Sequence, residues 1–198
     1  MKKITFLMMA VAAFAFQACK SHNSSGNTDS TNMSTTTTTD TTKVVVADTG
    51  KTKTIDSVDI QFANKAAVGG MAEVALANLA LAKTSNSKVR DFASMMVTDH
   101  GKANADLATI AKNKNIALPS TVDAEHQQKM DDLNKLSGKD FDKAYVAAMI
   151  DGHQKTLKLM EDESVAGNDA DLKAFAVKTT PVVTMHLSEI KKISAGMK

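Results

Sequence analysis

The chain carries one cysteine, two prolines, one arginine, one tyrosine and no tryptophan among 198 residues. The lone cysteine, Cys19, excludes an intramolecular disulfide and leaves the rest of the chain without a thiol nucleophile or thiolate ligand. Prolines occur only at Pro119 and Pro181, so long stretches contain nothing that would interrupt a helix. A formal net charge of +2, lysines scattered among acids and aromatics at 4% leave no basic stripe and no stacking platform, which excludes a nucleic-acid partner. No Gly-x-Ser-x-Gly turn and no phosphate-cradling glycine loop is present, so serine-hydrolase and nucleotide chemistry lack their parts.

What the chain does have begins with its leader. Lys2 and Lys3 precede an apolar run from Ile4 to Phe16, followed by Gln17-Ala18-Cys19. This is the plan of a secretory signal peptide over residues 1–18, too short in its apolar part to remain as a membrane anchor. Cys19 just after that run resembles the lipobox of bacterial lipoproteins, with Phe16 and Gln17 departing from its usual pattern. The resemblance implies lipidation at Cys19 and a membrane partner through that lipid. No acidic cluster of the kind that marks surface export follows it, which favours the periplasmic side of the outer membrane of a Gram-negative cell. Residues 19–56 are Ser, Thr, Asn and Asp, with Ser34 to Thr42 reading STTTTTDTT; they bury too little to offset ordering and are expected to form a disordered tether.

Residues 57–198 read as one all-α domain. Helix formers dominate, and apolar residues recur at alternating spacings of three and four. The first helix is expected over about 57–84, with Phe62, Ala66, Gly69, Glu73, Leu76 and Ala80 on one stripe. The second, capped by Ser85 or Ser87, places Val89, Ala93, Met96, His100, Ala103, Leu107 and Ile110 together. A polar connector helix with Met130, Leu133 and Leu136 starts near Ser120 or Thr121 and stops at Gly138. A helix over about 140–166 aligns Phe141, Tyr145, Met149, His153, Leu157 and Met160. The last starts at Asn168, aligns Leu172, Phe175, Val182, His186 and Ile190, and is expected to kink or break at Thr180-Pro181. Two long helices, a connector carrying a short helix, and two more long helices make the ferritin-like four-helix bundle with one long crossover.

Three inward stripes therefore carry a histidine where a simple core would carry Leu or Ala. Counting residues from the turns puts Glu73, His100 and His153 at one level, with His186 roughly 7 Å farther along an ideal axis. Imidazoles with a carboxylate suit a transition metal such as zinc, iron or copper, so Glu73, His100, His153 and His186 are the candidate metal ligands. Asp99 adjoins His100 and Asp151 lies two residues before His153, so on a helix they point about 100° and 200° away from those rings, which makes them at most supports for ligands. Met95, Met96, Met149, Met160 and Met185 lie near the histidines in sequence, and thioethers suit Cu(I), although Met also fills core gaps. A buried His–Glu hydrogen-bond network without metal, in a structural or interaction module of the envelope, is the competing reading. No Glu-x-x-His is present, so the carboxylate set for di-iron or peroxide-consuming chemistry is incomplete, no catalytic residue is assigned and enzymatic activity stays open.

The motifs Met95-Met96-Val97-Thr98-Asp99-His100, Leu118-Pro119, Phe141-Asp142-x-x-Tyr145, His153, Asp171-Leu172-Lys173-Ala174-Phe175-Ala176 and Pro181 followed by His186-Leu187 resemble domain of unknown function 4142. The resemblance spans about 59–193. It implies a ferritin-like bundle in secreted or envelope-anchored bacterial proteins and brings no activity with it.

Overall fold

The computed structural model describes residues 54–197. The leader, Cys19 and nearly all of the tether lie outside them. Five helices follow in order: α1 (Ser57–Lys83), α2 (Ser87–Asn113), α3 (Ala124–Asn134), α4 (Gly138–Ala166) and α5 (Ala170–Ala195).

Most helix starts are set by a side-chain oxygen that takes otherwise unpaired backbone N–H groups. Asp56 accepts from Val58 and Asp59 at 2.9 Å each. At α2 the cap is Asn86, between the two serines expected, accepting from Lys88 N at 3.0 Å while its own N–H donates to Thr84 Oγ1. Asp123 caps α3 and Asp169 caps α5. Asn168 does not cap α5 because it is used elsewhere: its N–H donates to Asp59 Oδ1 at 2.9 Å and its amide to Asp56, tying the α4–α5 turn to the start of α1. Gly138, expected to end the connector helix, instead opens α4 with a φ of +55°, a conformation glycine adopts without strain.

Helix α5 runs unbroken through Pro181. The missing N–H deprives the Val177 carbonyl of its helical partner, at a place where Val177 is 59% exposed and Pro181 is exposed as well. The hydroxyls of Thr180 and Thr184 donate to Ala176 O and Thr180 O at 2.8 Å, adding partners to carbonyls around the proline.

The ends fix the directions. Thr84 after α1 donates to Asp142 early in α4 at 2.5 Å; Lys114 after α2 reaches Asp169 and Asp171 at the start of α5 at 2.8 and 2.7 Å. So α1 is antiparallel to α4, α2 to α5, and the crossover through α3 leaves α2 and α4 parallel. By length and composition α1 could cross a bilayer, but Phe62, Ala63, Ala66, Ala72, Leu76, Ala77 and Ala80 are buried in the bundle. Its alanines leave room for neighbouring backbones to approach.

The core falls into two clusters. One contains Leu76, Phe92, Met96, Tyr145, Met149 and Ile190; the other contains Phe62, Ala66, Leu107, Met160, Leu172 and Phe175. Along every long helix the residue between the two is polar: Glu73, His100, His153 and His186. A buried polar layer divides the bundle.

Candidate metal centre

Each member of the layer comes from a different helix, and each ring is held by an oxygen. Glu73 Oε2 lies 2.8 Å from His100 Nδ1. The carbonyl of Met149, one turn earlier in α4, lies 2.8 Å from His153 Nδ1. Asp99 Oδ2 lies 3.0 Å from His186 Nε2. Carboxylates and carbonyls only accept, so in each ring the nitrogen facing the oxygen is the one that donates. That assignment leaves lone pairs on His100 Nε2, His153 Nε2 and His186 Nδ1.

Those three nitrogens face the interior. His100 Nε2 and His186 Nδ1 are 3.2 Å apart, and one ring nitrogen from each histidine lies within 4.8 Å of the others. The ring centroids form a nearly equilateral triangle of 5.2, 5.4 and 5.5 Å. His153 Nε2 is buried without a protein partner. Exposure is 6% for His100 and zero for His153 and His186. Three neutral nitrogens bound to one tetrahedral ion at 2.0–2.1 Å would stand about 3.3 Å apart, close to the 3.2 Å between His100 Nε2 and His186 Nδ1.

For His153 and His186 the electrostatics favour the ligand form. Burial, reinforced by the charges of the neighbouring histidines, pushes His153 below the usual imidazole range. Burial also pushes His186 down, against the opposing pull of its bond to Asp99. Neutral imidazole is the form that binds a metal. For Glu73 burial acts upward, but the charge of and hydrogen bond from His100 outweigh it, holding the carboxyl below its ordinary value. Its second oxygen is 3.6 Å from His153 Nδ1 and accepts from Thr156 Oγ1 at 3.3 Å. Phe92 closes one side, its ring 6.1 Å from His153 and 6.2 Å from His186.

His186 thus joins the layer that residue counting placed it outside. From the observed ends, Ala166 and Ala170, its offset against His153 is three residues, about 4.5 Å, because the turn itself uses 167–169. Helix tilt and the reach of the imidazole cover the rest. Asp99 holds His186 directly, whereas Asp151 turns outward to Lys155 and Lys129 at 3.0 and 3.4 Å. The five methionines do not form one group: Met96 and Met149 belong to one cluster, Met160 to the other, and Met185 is 48% exposed. The Met149 carbonyl, Thr156 and Phe92 were missed in the sequence; only Thr156, three residues after His153 on the same helix face, left a signal there.

An all-α bundle whose polar layer converges from four helices is a ferritin-like architecture. The chain belongs to the family described as domain of unknown function (DUF4142), whose model matches residues 44–193. Its fold is similar to the crystal structure of a DUF305 fragment from Deinococcus radiodurans, with TM-score 0.64, 11% identity, 71% of this chain and 97% of that chain covered. No curated protein matches the sequence.

Proposed function

We propose that the domain binds one divalent transition-metal ion through His100 Nε2, His153 Nε2 and His186 Nδ1. The observation that carries this is the convergence of three nitrogens whose opposite sides are already committed to oxygen acceptors. In a metal-free hydrogen-bond network, neighbouring rings would pair donor with acceptor. With all three rings neutral, acceptor would face acceptor at 3.2 Å, an arrangement that a shared cation stabilises. Glu73 and Asp99 then act behind the ligands, fixing ring orientation and raising imidazole basicity, as carboxylates behind metal-bound histidines do. The all-imidazole donor set suits zinc, copper, iron or nickel. With three protein ligands, a fourth position remains for water or a small molecule.

The expected setting is the periplasmic face of the outer membrane, with a lipid on Cys19 as tether and the domain binding its ion in the envelope. A Cys19→Ser chain recovered in the soluble periplasmic fraction supports that anchoring; one that stays in the membrane fraction refutes it. Binding is tested by metal analysis of the full chain purified without a histidine tag or chelator, followed by Co2+ titration monitored by visible absorption. The reading expects about one equivalent and the intense bands of a four-coordinate ion. Less than a tenth of an equivalent, with no cobalt bands, leaves the histidines as a structural network.

A further inference from the structure

Two grooves flank the polar layer on different sides of the bundle, and each has a carboxylate in contact with a histidine. The larger, about 440 Å³, lies between α1, α3 and α4 and has Glu73 in its wall. The smaller, about 190 Å³, lies between α2 and α5 over Asp99. They differ in what a cation would meet. Among the described residues Asp99 is hydrogen-bonded to His186 alone, and Lys102 and Lys178 line the same groove, Lys178 being paired with Asp106 at 2.8 Å. Glu73 lies beside two of the three imidazoles, at 2.8 Å from His100 and 3.6 Å from His153, and of the three lysines that line its groove, Lys65, Lys129 and Lys155, the last two are paired with Asp151.

The backbone is opened at the same place. Gly69 of α1, one turn before Glu73, and Gly152 of α4, beside His153, both line the larger groove. Glycine within a helix is less stable than alanine, yet packing demands it at neither position. A Cβ at Gly69 would meet nothing within 4 Å, and one at Gly152 only Glu73 Oε1, at an ordinary 3.6 Å. Gly70 next door is a contrast, because a Cβ there would fall 2.0 Å from Asn104 Oδ1. A longer side chain at Gly152 would start 3.6 Å from Glu73 Oε1 and add bulk to the groove wall there.

We propose that the α1–α3–α4 groove is the loading route of the metal centre, with Glu73 as the transit ligand. The incoming ion meets the Glu73 carboxylate, exchanges water for its oxygens, and passes between His100 and His153 to the inner nitrogens. The proposal rests on the metal-binding reading above. A route changes rates without changing the end states, so narrowing it slows loading and release by the same factor.

The test is stopped-flow Co2+ loading of the full chain, with chelator-driven release, for the wild type, Gly152→Ala, Gly152→Leu, Gly69→Leu and, in the opposite groove, Thr179→Leu. Loading and release should both fall at least tenfold in Gly152→Leu, and in the same direction in Gly69→Leu. The equilibrium affinity should stay within threefold, and Gly152→Ala and Thr179→Leu should load like the wild type. Unchanged rates in both leucine variants, or slowing confined to Thr179→Leu, overturn the route while leaving the binding reading standing. Absence of cobalt binding by the wild type overturns both.

Discussion

Replacing His153 by leucine should make the metal-free domain more stable while destroying its affinity for the ion. The His153 ring is fully buried, and its Nε2 has no protein partner. An unpaired buried polar group costs about 1–3 kcal/mol. The substitution also removes the bond from Nδ1 to the Met149 carbonyl, a neutral pair worth about 0.5–1.5 kcal/mol. That carbonyl keeps its helical partner, so no new orphan is created. Leucine fits against Phe92 and Met149 without a charged or polar atom to bury. The net is a gain of about 1 kcal/mol, a few degrees in Tm for a domain of this size. In excess Zn2+ the order reverses: at a hundredfold over Kd the wild type gains about 2.7 kcal/mol, whereas the variant, reduced to two imidazoles, gains little. Urea denaturation with and without Zn2+ reads both numbers. A metal-free His153→Leu that is weaker than the wild type by 2 kcal/mol or more would refute the account of the layer as strained for want of a cation.

Asp99 and Asp151 each lie within two residues of a histidine, but only Asp99 holds one, so Asp99→Ala should lower metal affinity about 10- to 100-fold and Asp151→Ala should not change it; equal effects in a titration would reject the assignment. Because His153 and His186 have lowered pKa values in the fold, the unfolded chain binds more protons, so their contribution is complete above about pH 6.5 and declines as pH falls below it. The urea midpoint should therefore drop between pH 7 and pH 5.5 in the wild type, and less in a His153→Leu, His186→Leu double variant. Glu163 has the opposite sign: burial, with Asp59, Asp56 and Asp169 around it, raises its carboxyl to about 7, so its contribution is present below its ordinary value and lost as pH rises through 7. Glu163→Gln should raise the urea midpoint at pH 8 more than at pH 5, and an equal shift at both would refute a protonated Glu163.

The helical class, the number of long helices and the crossover could all be read from spacing, because a 3.6-residue period shows which residues share a face whatever that face meets. So could the presence of Glu73, His100, His153 and His186 on inward stripes. Boundaries shifted where two local signals competed: Asn86 instead of its flanking serines, Asp169 instead of Asn168, and Gly138 opening a helix instead of closing one. Pro181 does not end α5, because it sits on the exposed side of the helix, where losing one backbone bond costs less than in the core.

Periodicity gives an angle around each helix axis and little else. Whether His186 stood level with the other rings depended on turn length and tilt, which move a side chain by several ångströms. Which carboxylate held which ring, and hence which nitrogens point inward, was decided at hydrogen-bond distances near 3 Å between residues 27 to 87 positions apart. Sequence order alone made Asp99 and Asp151 look equivalent. The packing of α2 against α5 turned one toward a histidine, and the lysines of α3 and α4 drew the other outward.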